Sequence, residues 1–250
     1  MAGIIATAVA FACNLSANAQ ENVVFVPVDI NGCTYKEGKG PADLDAVVEK
    51  FNAYMDENNR DAYAAWTMTK AYTSPDQEFD FAWLGAHKNG TSMGAGADEW
   101  RATGGEVLAE FGKVATCAGW GNYASRLFKA PPGGNVPQDG VMVFSNCKVE
   151  EGKTYDDAIA AVNEWVGILT EAGSTAAMYH WYPIYGTGEN DISYKAVTAY
   201  PNHAELGKDY DRIGNGGLFL KQNELMRGVV DCDIARVYDA KMRRGAKIRE

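Results

Sequence analysis

Two amphipathic helices are predicted at equivalent places in a repeated pattern of apolar positions. The first has its apolar stripe at Leu44, Val47, Val48, Phe51, Tyr54 and Met55, and the second has its stripe at Ala158, Ala161, Val162, Trp165, Ile168 and Leu169. Spacings of three and four residues place each set on one face of an α-helix. Because the two sets of apolar positions have the same spacing and similar surroundings in the sequence, the pattern indicates an internal repeat.

Both helices begin at residues that commonly start helices. Gly40 and Pro41 precede Asp43 in the first copy, and Thr154 precedes Asp157 by three residues in the second copy. The second pair has the spacing of a capping box, and proline is favoured at the first helical position. The similar sequence segments "NGCTYKEGKGPADLD" and "SNCKVEEGKTYDD" include these helix starts and the residues before them, so the repeat begins before the helices.

Alternating apolar and polar residues predict two strands after each of these helices. The strands cover residues 64–72 and 79–85 in the first copy, and residues 177–185 and 192–200 in the second. The turn-forming segments "TSPDQE" and "GTGEND" separate them, so each pair is predicted to be a hairpin. A second helix and a last strand are predicted after each hairpin. A short apolar strand is predicted before each of the two similar sequence segments.

Each copy therefore has the order strand, helix, strand, strand, helix, strand, or βαββαβ, which is that of the ferredoxin-like fold. We expect an α+β protein in which residues 20–135 and 136–250 form two tandem ferredoxin-like units. Each unit leaves one sheet face uncovered. The two units are consequently expected to pack together as a pseudo-dimeric α/β barrel.

The N-terminal residues have the pattern of a secretory signal peptide. An apolar run from Ile4 to Cys13 is followed by Ala17, Asn18 and Ala19, although no Lys or Arg precedes the run. We expect residues 1–19 to be removed and a secreted or periplasmic protein to begin near Gln20. Lipid attachment at Cys13 is the alternative. No later segment has the roughly 20 apolar residues of a transmembrane helix.

The four cysteines of the mature chain are predicted to form two disulfides. Cys33 and Cys117 are 84 residues apart, and Cys147 and Cys232 are 85 residues apart. In a ferredoxin-like unit the end of the first strand lies beside the start of the fourth, which is where each pair falls. Four buried free thiols are the alternative, although an oxidising compartment favours disulfides.

The fused arrangement resembles the dimeric α/β barrel superfamily over nearly the whole mature chain. The motifs "FDFAWLG" at residues 79–85 and "GAGADEW" at residues 94–100 are also similar to those of secreted proteins from marine bacteria. The superfamily includes cofactor-independent monooxygenases, lactone isomerases, haem-handling enzymes and NIPSNAP-like proteins. The resemblance therefore implies a ligand site inside the barrel or between sheet and helices, but it implies no single activity.

The candidate site depends on which face of each hairpin points into the barrel. We pair Tyr72 with Phe79 and Tyr185 with Ile192, which gives each hairpin one bulky face and one mixed face. The bulky faces carry Trp66, Met68, Tyr72, Phe79, Phe81, Trp83, Tyr179, Trp181, Tyr185, Ile192 and Tyr194. They are expected to form the core beneath the helices. A register slip of one residue would exchange the faces.

The mixed faces carry the candidate ligand-binding residues. His180, Tyr182 and Lys195 are expected to meet near the barrel centre, with Asp80 contributed by the first hairpin. An imidazole, a phenol and an amine could orient an acidic or phenolic ligand. The alternative for His180 is a hydrogen-bonded strand residue without such a role. His87, in a loop after a strand, is a further candidate.

Composition and motifs narrow the possible functions. The 250 residues carry a formal net charge of −10, which makes nucleic acid and anionic membranes unfavourable partners. No zinc or serine-hydrolase spacing occurs, and we expect neither a metal nor a cofactor. Three functions fit: binding of a small, partly apolar ligand, a cofactor-independent monooxygenase or isomerase, and a structural or surface-interaction protein. We rank ligand binding first, because His and Lys occur on the mixed face of the second copy alone.

Overall fold

The computed structural model describes residues 23–75, 77–134, 138–186 and 192–246. The strands in these ranges are β1 (Phe25–Tyr35), β2 (Tyr63–Tyr72), β3 (Phe81–His87), β4 (Ala115–Lys129), β5 (Asp139–Val149), β6 (Ala177–Tyr185), β7 (Tyr194–Tyr200), β8 (Val230–Cys232) and β9 (Arg236–Arg244). The α-helices are α1 (Pro41–Glu57), α2 (Gly90–Thr103), α3 (Gly105–Val114), α4 (Tyr155–Glu171), α5 (His203–Tyr210) and α6 (Leu218–Met226). The expected signal peptide at 1–19 lies outside the described residues, as does the expected boundary between residues 135 and 136.

Eight of the strands close into one antiparallel barrel. The order around the barrel is β7, β6, β4, β1, β3, β2, β9 and β5, and β5 pairs with β7 to complete the circle. The short strand β8 pairs only with the end of β5. Closure gives each of the eight barrel strands a partner on both sides, so the barrel exposes no long free edge.

The prediction of two tandem βαββαβ ferredoxin-like units is wrong, because the strands do not form two separate sheets. Strand β4 pairs with β1 and also with β6 from the C-terminal half of the chain, and β9 pairs with both β5 and β2. The described residues therefore form a closed eight-stranded barrel with six α-helices. The apolar pattern predicted the order of elements along the chain. Strands pair through backbone N–H and C=O groups that almost all residues share, so the pattern carried no signal for which outer strands would pair.

The helices cover the outer face of the barrel. In the N-terminal half, Leu44 and Phe51 of α1 belong to one buried cluster with Phe81 and Trp83 of β3. The ring centres of Phe51 and Trp83 are 5.5 Å apart, in an edge-to-face arrangement. The predicted apolar stripes of α1 and α4 are confirmed, since both contain the buried residues of their helices. Apolar burial on this outer side leaves the barrel interior as a separate space.

The predicted helix starts are also confirmed. The Asp43 carboxylate accepts a hydrogen bond of 3.1 Å from the backbone N–H of Gly40 at the start of α1. At the start of α4, Thr154 and Asp157 form the reciprocal bonds of a capping box, at 2.8 and 3.2 Å. These bonds satisfy backbone donors that the first helical turn leaves unpaired.

Both predicted disulfides are present. Cys33 is bonded to Cys117 across the β1–β4 pair, and Cys147 is bonded to Cys232 across the β5–β8 pair. Each joins residues directly opposite in register, where neighbouring strands bring the sulfur atoms together.

In the described ranges, no helix combines the length and the apolar composition that crossing a membrane requires.

The hairpin of β6 and β7 is one residue out of the predicted register. Trp181 lies opposite Lys195, where we expected Tyr182. Because neighbouring residues of a strand point to opposite faces, this slip turns one strand over relative to the other. Trp181 consequently joins the buried cluster inside the barrel, and His180 points outward.

The hairpin of β2 and β3 shows the same slip. Thr67 lies opposite Trp83, where the predicted pairing had Met68. Trp66 and Met68 pack inside the barrel, whereas Trp83 packs under the helices. The expected bulky face is thus divided between the two sides of the sheet.

Candidate functional site

The barrel interior contains an apolar cavity of about 390 Å³. This volume lies within the roughly 300 to 1,000 Å³ that ligand pockets commonly have. The side chains that line it include Val26, Val28, Trp66, Leu84, Ser125, Leu127, Met142, Tyr179, Trp181, Ala199 and Ala240. They come from every strand of the barrel, so the cavity exists only when the barrel is closed.

Aromatic side chains fill the barrel below this cavity. Along β4, β5 and β9, the inward residues next to the cavity lining are Tyr123, Phe144 and Tyr238, each two positions further down its strand. Phe144 lies 5.3 Å from the Trp181 ring and 5.7 Å from the Tyr238 ring, measured between centres. Tyr123 lies 6.2 Å from Trp181. These rings form a floor that limits the depth of the cavity.

Two polar groups lie beside the floor. Trp181 is 3% exposed, and its indole N–H has no hydrogen-bond partner among the described residues. Ser125, which is also buried, lies directly opposite Trp181 in the β4–β6 pairing. Both side chains line the cavity. Its deep end is therefore bounded by two side chains with polar groups, the indole of Trp181, whose buried N–H is unpaired, and the hydroxyl-bearing Ser125, within otherwise apolar walls.

Sequence reasoning missed Ser125 and placed Trp181 in the core beneath the helices. A signal for Ser125 was present, because Tyr123, Ser125 and Leu127 alternate along a strand and share one face. No comparable signal marks Trp181, whose direction depends on the hairpin register.

Lys195 lies inside the barrel but does not line the cavity. Its Nζ donates a 2.6 Å hydrogen bond to Oδ1 of Asn146 and lies 5.6 Å from the centre of the Tyr123 ring. Burial, together with the nearby charge of Arg236 and against the opposing effect of Asp233, lowers the pKa of Lys195 to about 8. Its backbone lies opposite Trp181 in the β6–β7 pair, so Lys195 lies beside the floor, with its Nζ directed towards Asn146 and Tyr123.

His180 and Tyr182 lie on the outer face, apart from Lys195. The His180 ring stacks on Tyr194 with 3.9 Å between ring centres and lies 4.4 Å from Phe128. The Tyr182 hydroxyl is 3.5 Å from Nδ1 of His180. The expected meeting of His180, Tyr182 and Lys195 at the barrel centre therefore does not occur, because the actual register puts His180 and Lys195 on opposite faces.

Burial determines the protonation state of His180. The side chain is 4% exposed, and burial lowers its pKa to about 3, with the Arg126 guanidinium contributing in the same direction. The imidazole is therefore neutral at physiological pH. It behaves as one member of an aromatic cluster rather than as a group that exchanges protons near neutrality.

The other two candidates also lie away from the cavity. Asp80 is exposed, and its Oδ2 accepts a 2.7 Å hydrogen bond from the backbone N–H of Tyr35. His87 is paired through Nε2 with Oδ2 of Asp29 at 2.8 Å, and Oδ1 of Asp29 accepts a 2.7 Å bond from Asn122. Both candidates thus take part in bonds that connect the first half of the sheet.

A second depression of about 440 Å³ lies on the outer surface beside β9. Its charged groups already have partners: His203 pairs with Asp239 at 2.6 Å, and Asp45 pairs with Arg243. The apolar barrel cavity, with its unpaired indole N–H, is the better candidate site, because a ligand there would replace no existing ion pair.

The comparisons with known proteins concern the fold alone. No protein-family model matches the chain, and no curated protein matches it. An anthrone oxidase-like protein is 13% identical, with a TM-score of 0.54 over 90% of this chain and 94% of that chain. A heme-binding protein from Thermus thermophilus is 8% identical, with a TM-score of 0.52 over 86% and 91%. A mutant chlorite dismutase from Candidatus Nitrospira defluvii is 9% identical, with a TM-score of 0.54 over 86% and 91%.

These solved structures are proteins of the chlorite dismutase-like and dimeric α/β barrel type. The superfamily that the sequence resembles therefore fits the fold. The similarity to secreted proteins of marine bacteria has no counterpart among them. At identities of 8 to 13%, the similarity of this chain to them is one of fold and not of activity.

Proposed function

We propose that this protein binds a small, largely apolar molecule inside its barrel. The observation that supports the proposal is the cavity of about 390 Å³, whose walls are apolar side chains from all eight barrel strands. Cores are normally packed with few voids larger than a water molecule, so a space of this size inside a closed barrel is unusual for a purely structural protein.

The setting of the protein agrees with a binding role outside the cytoplasm. Two disulfides join β1 to β4 and β5 to β8, and bonds of this kind persist in oxidising compartments. The N-terminal sequence has the pattern of a secretory signal. We therefore propose a secreted or periplasmic protein that takes its ligand from that compartment.

Haem is one ligand to consider, because one of the similar structures is that of a heme-binding protein. The histidines of this chain do not fit it. His180 is packed between Tyr194 and Phe128, while His87 and His203 are paired with carboxylates. None of the three lines the barrel cavity. The imidazole that commonly holds haem iron therefore has no counterpart here, and the proposed ligand is not haem.

A cofactor-independent monooxygenase or isomerase is the second candidate, and the fold similarity to an anthrone oxidase-like protein favours it. Such chemistry requires a group near the ligand that accepts a proton near neutral pH. The titratable groups that line the cavity within the described ranges are Tyr179 and Tyr200, and burial raises the pKa of both. The cavity therefore supports binding better than proton transfer.

The proposal is tested with an uncharged fluorescent probe, N-phenyl-1-naphthylamine. Ala199 lines the cavity, so Ala199→Phe would fill part of it, whereas Ala109→Phe places the same group on the exposed surface of α3. We expect the probe to bind the parent and the Ala109 variant equally, and the Ala199 variant at least tenfold more weakly. Melting temperatures verify that both variants are folded.

Two results would contradict binding inside the barrel. Equal affinity of all three proteins would place the probe elsewhere, and absence of binding to the parent would favour the structural or surface-interaction function. Turnover of a bound phenolic or anthrone-like compound in air would instead favour the oxygenase.

A further inference from the structure

The indole N–H of Trp181 is a buried donor without an acceptor. Trp181 is 3% exposed, and no described residue accepts a hydrogen bond from its Nε1. Nearly all buried polar groups in folded proteins have a hydrogen-bond partner, so an unpaired one requires an explanation. The indole N–H of Trp83, which lies under the helices, does have a partner: its Nε1 donates a 3.0 Å hydrogen bond to the Tyr63 hydroxyl.

Ser125 places a second polar group at the same level of the barrel. Its Cα is the register partner of the Trp181 Cα in the β4–β6 pair, and both side chains line the cavity. A serine hydroxyl can donate one hydrogen bond and accept others. One oxygen atom of a ligand could thus meet the indole N–H and the hydroxyl together.

The remaining walls determine what else the ligand can carry. Val28, Leu84 and Met142 are among the apolar neighbours of this polar pair, and none of the lining residues in the described ranges is Asp, Glu, Lys, Arg or His. A charged group buried there would lose its hydration without gaining an ion pair. Lys195 is the register partner of Trp181, but it does not line the cavity, and its Nζ already donates a hydrogen bond to Asn146.

We propose that the ligand is an uncharged molecule, such as a ketone, with an apolar body and one oxygen atom that accepts hydrogen bonds. This oxygen lies at the deep end of the cavity, where it accepts hydrogen bonds from Trp181 and Ser125. This inference rests on the proposed binding function, and it adds the chemical class and the orientation of the ligand. An ordered water molecule could occupy the same position, and the experiment separates the two cases.

The experiment compares two probes of nearly equal shape, 2-acetylnaphthalene and 2-isopropenylnaphthalene. They differ in one atom position, where the carbonyl oxygen of the ketone is replaced by a methylene group. Dissociation constants are measured by titration calorimetry for the parent and for Trp181→Phe, Ser125→Ala and the control Trp83→Phe. In parallel, the Trp181 indole resonance is followed in ¹⁵N–¹H spectra of the parent.

We expect Trp181→Phe to weaken ketone binding roughly three- to tenfold, the effect of one neutral hydrogen bond, and to change alkene binding by less than twofold. Ser125→Ala should act in the same direction, and Trp83→Phe should change neither affinity. The ketone should move the Trp181 indole proton downfield, and the alkene should not. The carboxylate of 2-naphthoic acid at pH 7.5 should bind at least tenfold more weakly than the ketone.

The possible failures are distinguishable. If neither neutral probe binds the parent, the proposed function itself is wrong and this inference falls with it. If both probes bind but the indole resonance responds to neither, or if Trp181→Phe weakens both equally, the cavity binds ligands while the donor serves a water molecule, and this inference alone is overturned. The spectra of the parent decide this even where Trp181→Phe does not fold. Carboxylate binding as tight as that of the ketone would overturn the requirement for an uncharged ligand.

Discussion

Replacement of His180 should make the protein markedly more resistant to acid. The folded protein keeps this imidazole neutral down to a pKa of about 3, because it is buried and lies near the Arg126 guanidinium. In the unfolded chain a histidine has its ordinary pKa of about 6.5. The ionisable rings in contact with it are Tyr182 and Tyr194, and burial raises the pKa of both, so neither changes charge in this range.

Between these two pKa values the unfolded chain binds a proton that the folded protein does not bind. The free energy of unfolding therefore falls as the pH is lowered from about 6.5 towards 3, by up to about 1.4 kcal/mol per pH unit. At pH 4.5 the contribution of His180 is on the order of 2 to 3 kcal/mol. Stability lost in this way returns when the pH is raised above 6.5.

The assay is urea unfolding at pH 7.5, 5.5 and 4.5 for the parent, His180→Phe and Tyr182→Phe. His180→Phe keeps an aromatic ring between Tyr194 and Phe128 but cannot bind a proton. Its loss of stability between pH 7.5 and 4.5 should be smaller than that of the parent by about 2 to 3 kcal/mol. Tyr182→Phe retains the imidazole and should follow the parent. Parallel pH profiles for the parent and His180→Phe would refute the burial of a neutral His180.

Two further predictions concern packing and the disulfides. A Cβ at Gly85 would overlap the Tyr63 hydroxyl, so Gly85→Ala should lower the unfolding free energy by roughly 1 to 3 kcal/mol, whereas Gly94→Ala on the exposed side of α2 should raise it by up to about 1 kcal/mol. Urea titrations measure both, and effects of the same sign would contradict this packing. Double replacement of Cys33 and Cys117 by Ala opens a loop of 84 residues and should lower the unfolding free energy by up to roughly 4 kcal/mol. An unchanged melting temperature under non-reducing conditions would mean that the bond does not contribute.

The sequence alone determined the features that depend on neighbouring residues. The apolar stripe of α1 and the capping pair of Thr154 and Asp157 involve positions three or four residues apart, so their consequences are local. The disulfide partners are not local, since Cys33 and Cys117 are 84 residues apart. They were predicted from the expected pairing of the first and fourth strands, and this one pairing is present between β1 and β4 although the two-unit fold is not.

Only the tertiary structure decided how the strands close and which side chains point inward. Backbone hydrogen bonds are the same whichever residues they join, so the sequence carries no local signal for the pairing of β4 with β6 or for a register shifted by one residue. The register shift of one residue exchanges His180 and Trp181 between the two faces of the sheet. The cavity, its unpaired indole N–H and the position of Ser125 exist only because packing of the complete barrel selects one register.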